Sequence, residues 1–171
     1  SNIIPVKRCE KIVDILSRLN IPIDWIHFGD GDGRSSLIEY AKKQLPENVS
    51  YHIDGAIKNS DLMSFYKKHH VDVFVNVSES EGIPVSIMEA ASFGIPALAT
   101  NVGGTSELVT DGINGFLLPP EIDFDEAAGK LTEIVTNCDG SFRKQAREVW
   151  KDKFFADKNY KDFFEFIGSE S

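Results

Sequence analysis

The stretch Asp72–Ala91 limits most strictly what this chain can fold into. Val73–Val77 is a short, apolar, β-branched run, the pattern of a buried strand. Ser78–Gly82 is a polar loop, and an apolar helix begins at about Pro84. Proline suits a first helical position because the N–H it lacks would be unpaired there anyway. A strand, a loop and a helix in that order leave the loop at the carboxyl end of a parallel strand. In open α/β sheets that is where ligands bind. The helix start adds free N–H groups and a partial positive charge, which suit an anion. Two carboxylates bracket the loop, Glu81 within it and Glu89 more than a turn inside the helix.

The rest of the chain repeats this alternation. Ser1–Ile4 reads as strand-like, with Pro5–Arg8 as the loop that follows. A helix over about 8–19 carries Ile12, Val13, Ile15, Leu16 and Leu19 at helical spacing. Strands are expected over 23–28, 49–53, 95–99 and 116–118, and helices over 33–45, 60–69 and 105–109. Asp111-Gly112 and Asn114-Gly115 are turn signals. From Asp123 the chain reads as helical, in about three pieces, to Ile167. Strands that alternate with helices give an α/β fold with a doubly wound parallel sheet.

Composition narrows the function classes. A chain of 171 residues is naturally one domain and long enough to bury a core. A net charge of −9 argues against nucleic acid or an anionic membrane as a general partner. No run of about 18 apolar residues suggests a membrane-spanning helix, and no signal peptide is visible. Cys9 and Cys138 lack metal spacing and read as reduced thiols of a cytoplasmic protein. His27, His52, His69 and His70 do not converge with acidic residues, so no bound metal is expected. No Gly-x-Ser-x-Gly and no Cys–His pair offers a nucleophile.

Other residues hold two readings each. Lys7 and Arg8 could neutralise a diphosphate from a strand's carboxyl end, or form a solvated surface pair. Gly29, Gly31 and Gly33 form a glycine-rich loop that could lie against a nucleotide or be a tight turn, and Asp30 and Asp32 would repel phosphate. Glu107 reads as structural, a carboxylate in the first turn of a short helix.

The segment 81–100, Glu-Gly-Ile-Pro-Val-Ser-Ile-Met-Glu-Ala-Ala-Ser-Phe-Gly-Ile-Pro-Ala-Leu-Ala-Thr, resembles the donor-site motif of the family four retaining glycosyltransferases. Gly103-Gly104 and Glu107 also fall where that family's pattern has them. Such enzymes have two Rossmann-like domains, the GT-B architecture, and the motif belongs to the C-terminal one. The resemblance implies that Glu81 contacts the donor sugar's hydroxyls and Glu89 the ribose hydroxyls, since a carboxylate can accept both hydrogen bonds of a vicinal diol. It implies that Gly82, Ile83, Pro84 and Val85 lay backbone against sugar and diphosphate. Lys7 matches the family's diphosphate-contacting lysine. Gly29 and Gly31 lie in a loop near the nucleotide, and Gly55 matches a glycine beside the base. The sequence departs from the pattern at Arg8, where the family more often has glycine. It departs again at Asn2, where the family usually has an arginine; either this branch uses asparagine there, or Ser1-Asn2 is an addition to the native chain.

The implied activity is transfer of a hexosyl group from a nucleoside-diphosphate sugar to an acceptor hydroxyl, in glycan or polysaccharide assembly. Glu81 and Lys7 would be closest to the chemistry, with no cofactor and no metal. The strand-like opening and the aromatic tail (Trp150, Phe154, Phe155, Tyr160, Phe163, Phe164, Phe166) suggest half of a larger protein, its N-terminal acceptor domain absent. The tail could pack on its own sheet or face that domain. Peripheral attachment to the inner membrane face would come through the absent half. The alternatives are a nucleotide-sugar epimerase, a phosphorylase with pyridoxal phosphate, and a non-catalytic sugar-nucleotide-binding module.

Overall fold

Five parallel strands fall into two sheets in the computed structural model, which describes residues 2–154. The elements run, in order, as a 3-10 turn Pro5–Lys7, α1 Cys9–Leu16, β1 Ile23–Phe28, α2 Arg34–Gln44, β2 Val49–Asp54, α3 Asn59–Lys68, β3 Phe74–Asn76, α4 Val85–Ala91, β4 Ala97–Thr100, α5 Thr105–Leu108, β5 Gly115–Leu118, α6 Phe124–Val135 and α7 Ser141–Phe154. β1 pairs with β2 in one sheet, and the other has the order β3-β4-β5, parallel throughout. The α/β class and the parallel strand-helix alternation are as the sequence predicts.

The helices cover both faces because their apolar residues recur at helical spacing. Ile12, Val13, Ile15 and Leu16 of α1 are all buried. Those of one stripe join Ala127, Ala128, Leu131 and Ile134 of α6 in the main core beneath β3, β4 and β5. A second cluster joins Ile3, Cys9 and Val13 to Leu37 and Ala41 of α2. On the opposite face, Ile87 of α4, Leu108 of α5 and Val109 pack on Ala97 and Ala99 of β4, with Phe154 at the margin. Asp123 caps α6 by accepting from the Asp125 and Glu126 amides, both at 3.0 Å. A cap of this kind is worth about 1 kcal/mol.

Four expectations are corrected. Asn2–Ile4 is not a strand: the Ile3 amide makes a single bond to the Asp30 carbonyl, and Pro5, which has no N–H, opens a 3-10 turn instead. The two sheets are separate, because among the described residues no strand lies between β1 and β3. Pro84 stands at the N-cap with extended backbone rather than inside α4. Its carbonyl accepts from the Ile87 amide, so the helix starts one residue later. From Asp123 the described chain holds two helices, α6 and α7; the third piece, together with Phe155, Tyr160, Phe163, Phe164 and Phe166, lies outside the described residues.

Candidate functional site

The loops leaving β1 and β2 emerge at one end of their sheet, and those leaving β3 and β4 at one end of theirs, as the parallel ladders require. Residues 3–8 tie those two ends together. The Ile3 amide bonds to Asp30 after β1, and the Glu79 amide after β3 bonds to the Val6 carbonyl at 2.8 Å. Gly31 makes this approach possible. Its φ is +150, and a Cβ there would lie 2.4 Å from the Ile3 carbonyl oxygen. Gly31 therefore accommodates its own chain's backbone. Gly29 also serves the fold, its amide donating to Asp54 at the end of β2. Asn2 is exposed beside these contacts, and Gly55 has open space where a Cβ would stand.

Arg8 departs from the reading of a charge aimed at a diphosphate. It is buried at 9 % exposure. Its guanidinium donates to the carbonyls of Val77 at 2.7 Å, Pro120 at 2.9 Å and Ser78 at 3.2 Å. It pins residues 5–8 to the carboxyl end of β3. Its backbone is left-handed, φ 46 and ψ 42, a conformation that glycine adopts without steric cost. That conformation accounts for the departure from glycine at this position: the side chain's three bonds offset the strained backbone.

Lys7, one residue earlier, ends at the loop after β3. Its Nζ lies 2.6 Å from Glu81 Oε1, with 25 % and 11 % of the two side chains exposed. Asn76 Nδ2, at the end of β3, donates to the same oxygen at 3.0 Å, while Asn76 Oδ1 accepts from the Ser78 amide. Burial pushes the Glu81 carboxyl up, but hydrogen bonds from Lys7, Ser78 and Asn76 outweigh it and hold the group below the ordinary carboxylate range. Glu81 is thus an anchored carboxylate.

Gly103 and Gly104 support this loop from behind. Gly103 has φ +53, and a Cβ on it would lie 1.8 Å from the Glu81 carbonyl oxygen. The Gly104 amide donates to Gly82 at 2.7 Å. The front of the loop is open: nothing lies within 4 Å of a Cβ at Gly82. Beyond it Ile83 and Val85 are 51 % and 61 % exposed, large apolar side chains unusually open beside a polar loop. Pro84 between them is buried.

Glu89 occupies a second position on the same side. It receives a hydrogen bond from Asn59 at the start of α3, and so faces the loop after β2 that carries Gly55. Tyr66 lies close by: burial, with the Glu89 charge adding to it, pushes its phenol up to about 12. Sequence reasoning missed Asn76, Asn59 and Tyr66. Asn76 had a signal, the one amide inside the apolar run Val73–Val77; Asn59 and Tyr66 are partners only through folding. Glu107 lies in the first turn of α5, and its carbonyl accepts from Lys153. No cluster of three metal-ligating side chains occurs among the described residues.

Comparison with known proteins matches residues 1–152 to a family described as glycosyl transferases group 1. The chain is 34 % identical over 140 residues to the O-antigen biosynthesis glycosyltransferase WbnH of Escherichia coli, covering 82 % of this chain and 37 % of that protein. The chain thus spans little more than a third of the curated relative it matches. Among solved structures, Staphylococcus aureus TarM, in a complex that includes UDP, superposes with a TM-score of 0.81 at 18 % identity, over 96 % of this chain and 34 % of that one. The C-terminal domain of a glycosyl transferase group 1 protein from Francisella tularensis gives 0.75 at 18 % identity, over 91 % and 83 %. At these identities the structural likeness is one of fold, and it is a fold of GT-B transferases.

Proposed function

This chain belongs to the glycosyl transferases group 1 family, and on that premise we propose that it is the donor-binding domain of a retaining, nucleotide-sugar-dependent hexosyltransferase. The observation that carries the reading is the contact between Lys7 Nζ and Glu81 at 2.6 Å. The scissile bond of a nucleotide sugar joins a phosphate to a sugar carbon. A protein that acts on it must place a cation for the phosphate beside an acceptor for the sugar hydroxyls. Lys7 and Glu81 satisfy that adjacency, and the open side of Gly82 leaves room for the bond beside them.

In this reading Lys7 balances the charge that develops on the leaving diphosphate, helped by the amides at the start of α4. Glu81 orients the sugar through its hydroxyls, Glu89 accepts from the ribose diol near Gly55, and Ile83–Val85 lie against the donor. Catalysis rests on positioning and charge stabilisation. The acceptor domain belongs to the remaining length of the polypeptide, and glycan assembly is the setting that the O-antigen relative suggests. No helix among the described residues is long and apolar enough to cross a membrane.

The test is a calorimetric titration of a panel of UDP-, GDP- and ADP-sugars into this chain and into the longer polypeptide, wild type beside Glu89→Ala. One donor should be preferred, and loss of Glu89 should weaken it about tenfold or more, the range of hydrogen bonds to a charged group. Binding of no donor by either protein, or equal binding by the variant, would overturn the proposal.

A further inference from the structure

Asn76 is the last residue of β3, an unusual place for it. Asparagine is depleted from strands, and the polar atoms of a half-buried amide need partners. Both ends of this one have them. Oδ1 accepts from the Ser78 amide at 3.0 Å, a turn closed two residues on. Nδ2 donates to Glu81 Oε1, also at 3.0 Å. The turn accounts only for the acceptor, and aspartate or serine would close it as well. Among the described residues, it is Glu81 that accounts for the donor. Reversing the amide would set its oxygen against the carboxylate and its N–H groups against the Ser78 N–H, so the two bonds together fix one orientation.

Ser78 is itself held. It is 1 % exposed, and its carbonyl accepts from Thr100 Oγ1 at 2.5 Å and from the Arg8 guanidinium at 3.2 Å. Thr100 ends β4, so the bond from Asn76 to Glu81 is braced, through Ser78, on the carboxyl ends of two paired strands. Lys7 reaches the same oxygen of Glu81, at 2.6 Å. The two holders differ in what else attracts them. With Lys7 serving the diphosphate as well, a bound donor sets two anions on one cation. An ammonium on a flexible four-carbon stem turns readily toward a second anion. A neutral amide locked by its bond to Ser78 does not.

We propose that Asn76 is a positioning residue for the donor sugar: it keeps the Glu81 carboxylate in place while Lys7 is shared with the diphosphate. The inference rests on the roles proposed above for Lys7 and Glu81. It makes selectivity for the sugar, as distinct from affinity for the nucleotide, depend on an amide that acts through Glu81. Loss of that amide leaves the carboxylate free to follow Lys7, and the sugar hydroxyls then meet an acceptor without a fixed place.

The test titrates the longer polypeptide, by calorimetry, with UDP beside UDP-glucose, UDP-galactose and UDP-N-acetylglucosamine, with GDP beside GDP-mannose, and with ADP beside ADP-glucose. The quantity read is the ratio of affinities, sugar nucleotide over nucleoside diphosphate. Asn76→Ala should lower that ratio by about tenfold, the worth of a hydrogen bond to a charged group, and leave the affinity for the diphosphate alone close to that of wild type. Asn76→Thr suits a strand and keeps a hydroxyl acceptor for the Ser78 amide, but offers no amide N–H. It should lower the ratio equally, and it carries the test should Asn76→Ala fail to fold. Glu81→Ala should lower the ratio too, and adding Asn76→Ala to it should lower it no further, because the effect passes through the carboxylate. A wild-type ratio in Asn76→Thr would reduce Asn76 to its turn and overturn the proposal. So would an equal loss of diphosphate and sugar nucleotide, the mark of a structural residue. A further loss in the double variant would overturn it as well, by making Asn76 a direct ligand. Should wild type bind none of these compounds, the roles of Lys7 and Glu81 fall and the inference with them; wild-type binding with an unchanged ratio in the variants sinks the inference alone.

Discussion

Substituting Gly103 by alanine separates the glycine that supports the site from the one that leaves it open. The added methyl would sit 1.8 Å from the Glu81 carbonyl oxygen and 2.8 Å from its carbon, both rigid backbone atoms. The left-handed φ of +53 costs a non-glycine residue about 1–2 kcal/mol. Relieving the overlap by moving the loop adds about 1–3 kcal/mol, as for overpacked cores. Gly103→Ala should therefore lose about 2–5 kcal/mol, a large share of a total stability of about 5–15 kcal/mol. Gly82→Ala offers the contrast. No atom lies within 4 Å of its Cβ position, and its φ is outside the left-handed region. Fewer unfolded conformations should leave it unchanged or more stable by about 0.4–1 kcal/mol. Urea unfolding followed by circular dichroism measures both. Donor titration should weaken in each, in Gly103→Ala because the Glu81 loop moves, in Gly82→Ala because the methyl occupies donor space. A Gly103→Ala protein within about 0.5 kcal/mol of wild type would refute the steric reasoning, as would a Gly82→Ala protein destabilised to the same degree as Gly103→Ala.

Arg8→Ala and Arg8→Gly both remove the bonds to Val77, Pro120 and Ser78, and each should cost about 2–5 kcal/mol in urea unfolding. The glycine variant should be the better of the two by about 1 kcal/mol, because it relieves the left-handed backbone; the reverse order would show that φ 46 carries no strain. The Glu81 carboxyl is lower in the folded state than in the unfolded one, so the unfolded chain binds the extra proton in acid. Its contribution is full above the ordinary carboxylate range and is lost as pH falls through the folded value. The stability gap between wild type and Glu81→Gln should therefore narrow toward acid, and a gap independent of pH would contradict the assignment. Tyr66 has the opposite sign: its phenol is raised to about 12, so its contribution is complete below the ordinary phenol value of about 10 and lost between there and the folded value. Tyr66→Phe should remove that alkaline slope, and with it a late-titrating tyrosine from the phenolate absorbance.

The alternation of β-branched runs with amphipathic stretches was readable because each element is set by local period and by burial of one stripe. The elements from β1 to β5 lie within about two residues of their sequence-read bounds, the range over which helix and strand ends are uncertain in any case, while α1 ends three residues before the expected Leu19. Ile3 misled for the same reason. Its apolar neighbours satisfy a strand pattern, but a strand forms only where another backbone accepts its hydrogen bonds. The site divides along that line as well. Glu81, Glu89 and Lys7 are recognisable from spacing and motif, whereas the partner of each is set by folding: Asn76 for Glu81, Asn59 for Glu89, and for Lys7 the Glu81 carboxylate itself.

The sequence by itself determined the α/β class, the family and the loop that carries the candidate chemistry, because these depend on residue type and short-range order. The tertiary structure alone decided that Arg8 clamps the carbonyls of Val77, Ser78 and Pro120, and that Gly31 makes room for Ile3 while Gly82 faces open space. It alone showed that, among the described residues, β1 and β3 line one cavity. Each of those facts depends on which distant backbone group a residue meets, and a one-dimensional pattern does not encode contacts between Arg8 and Pro120 or between Gly103 and Glu81.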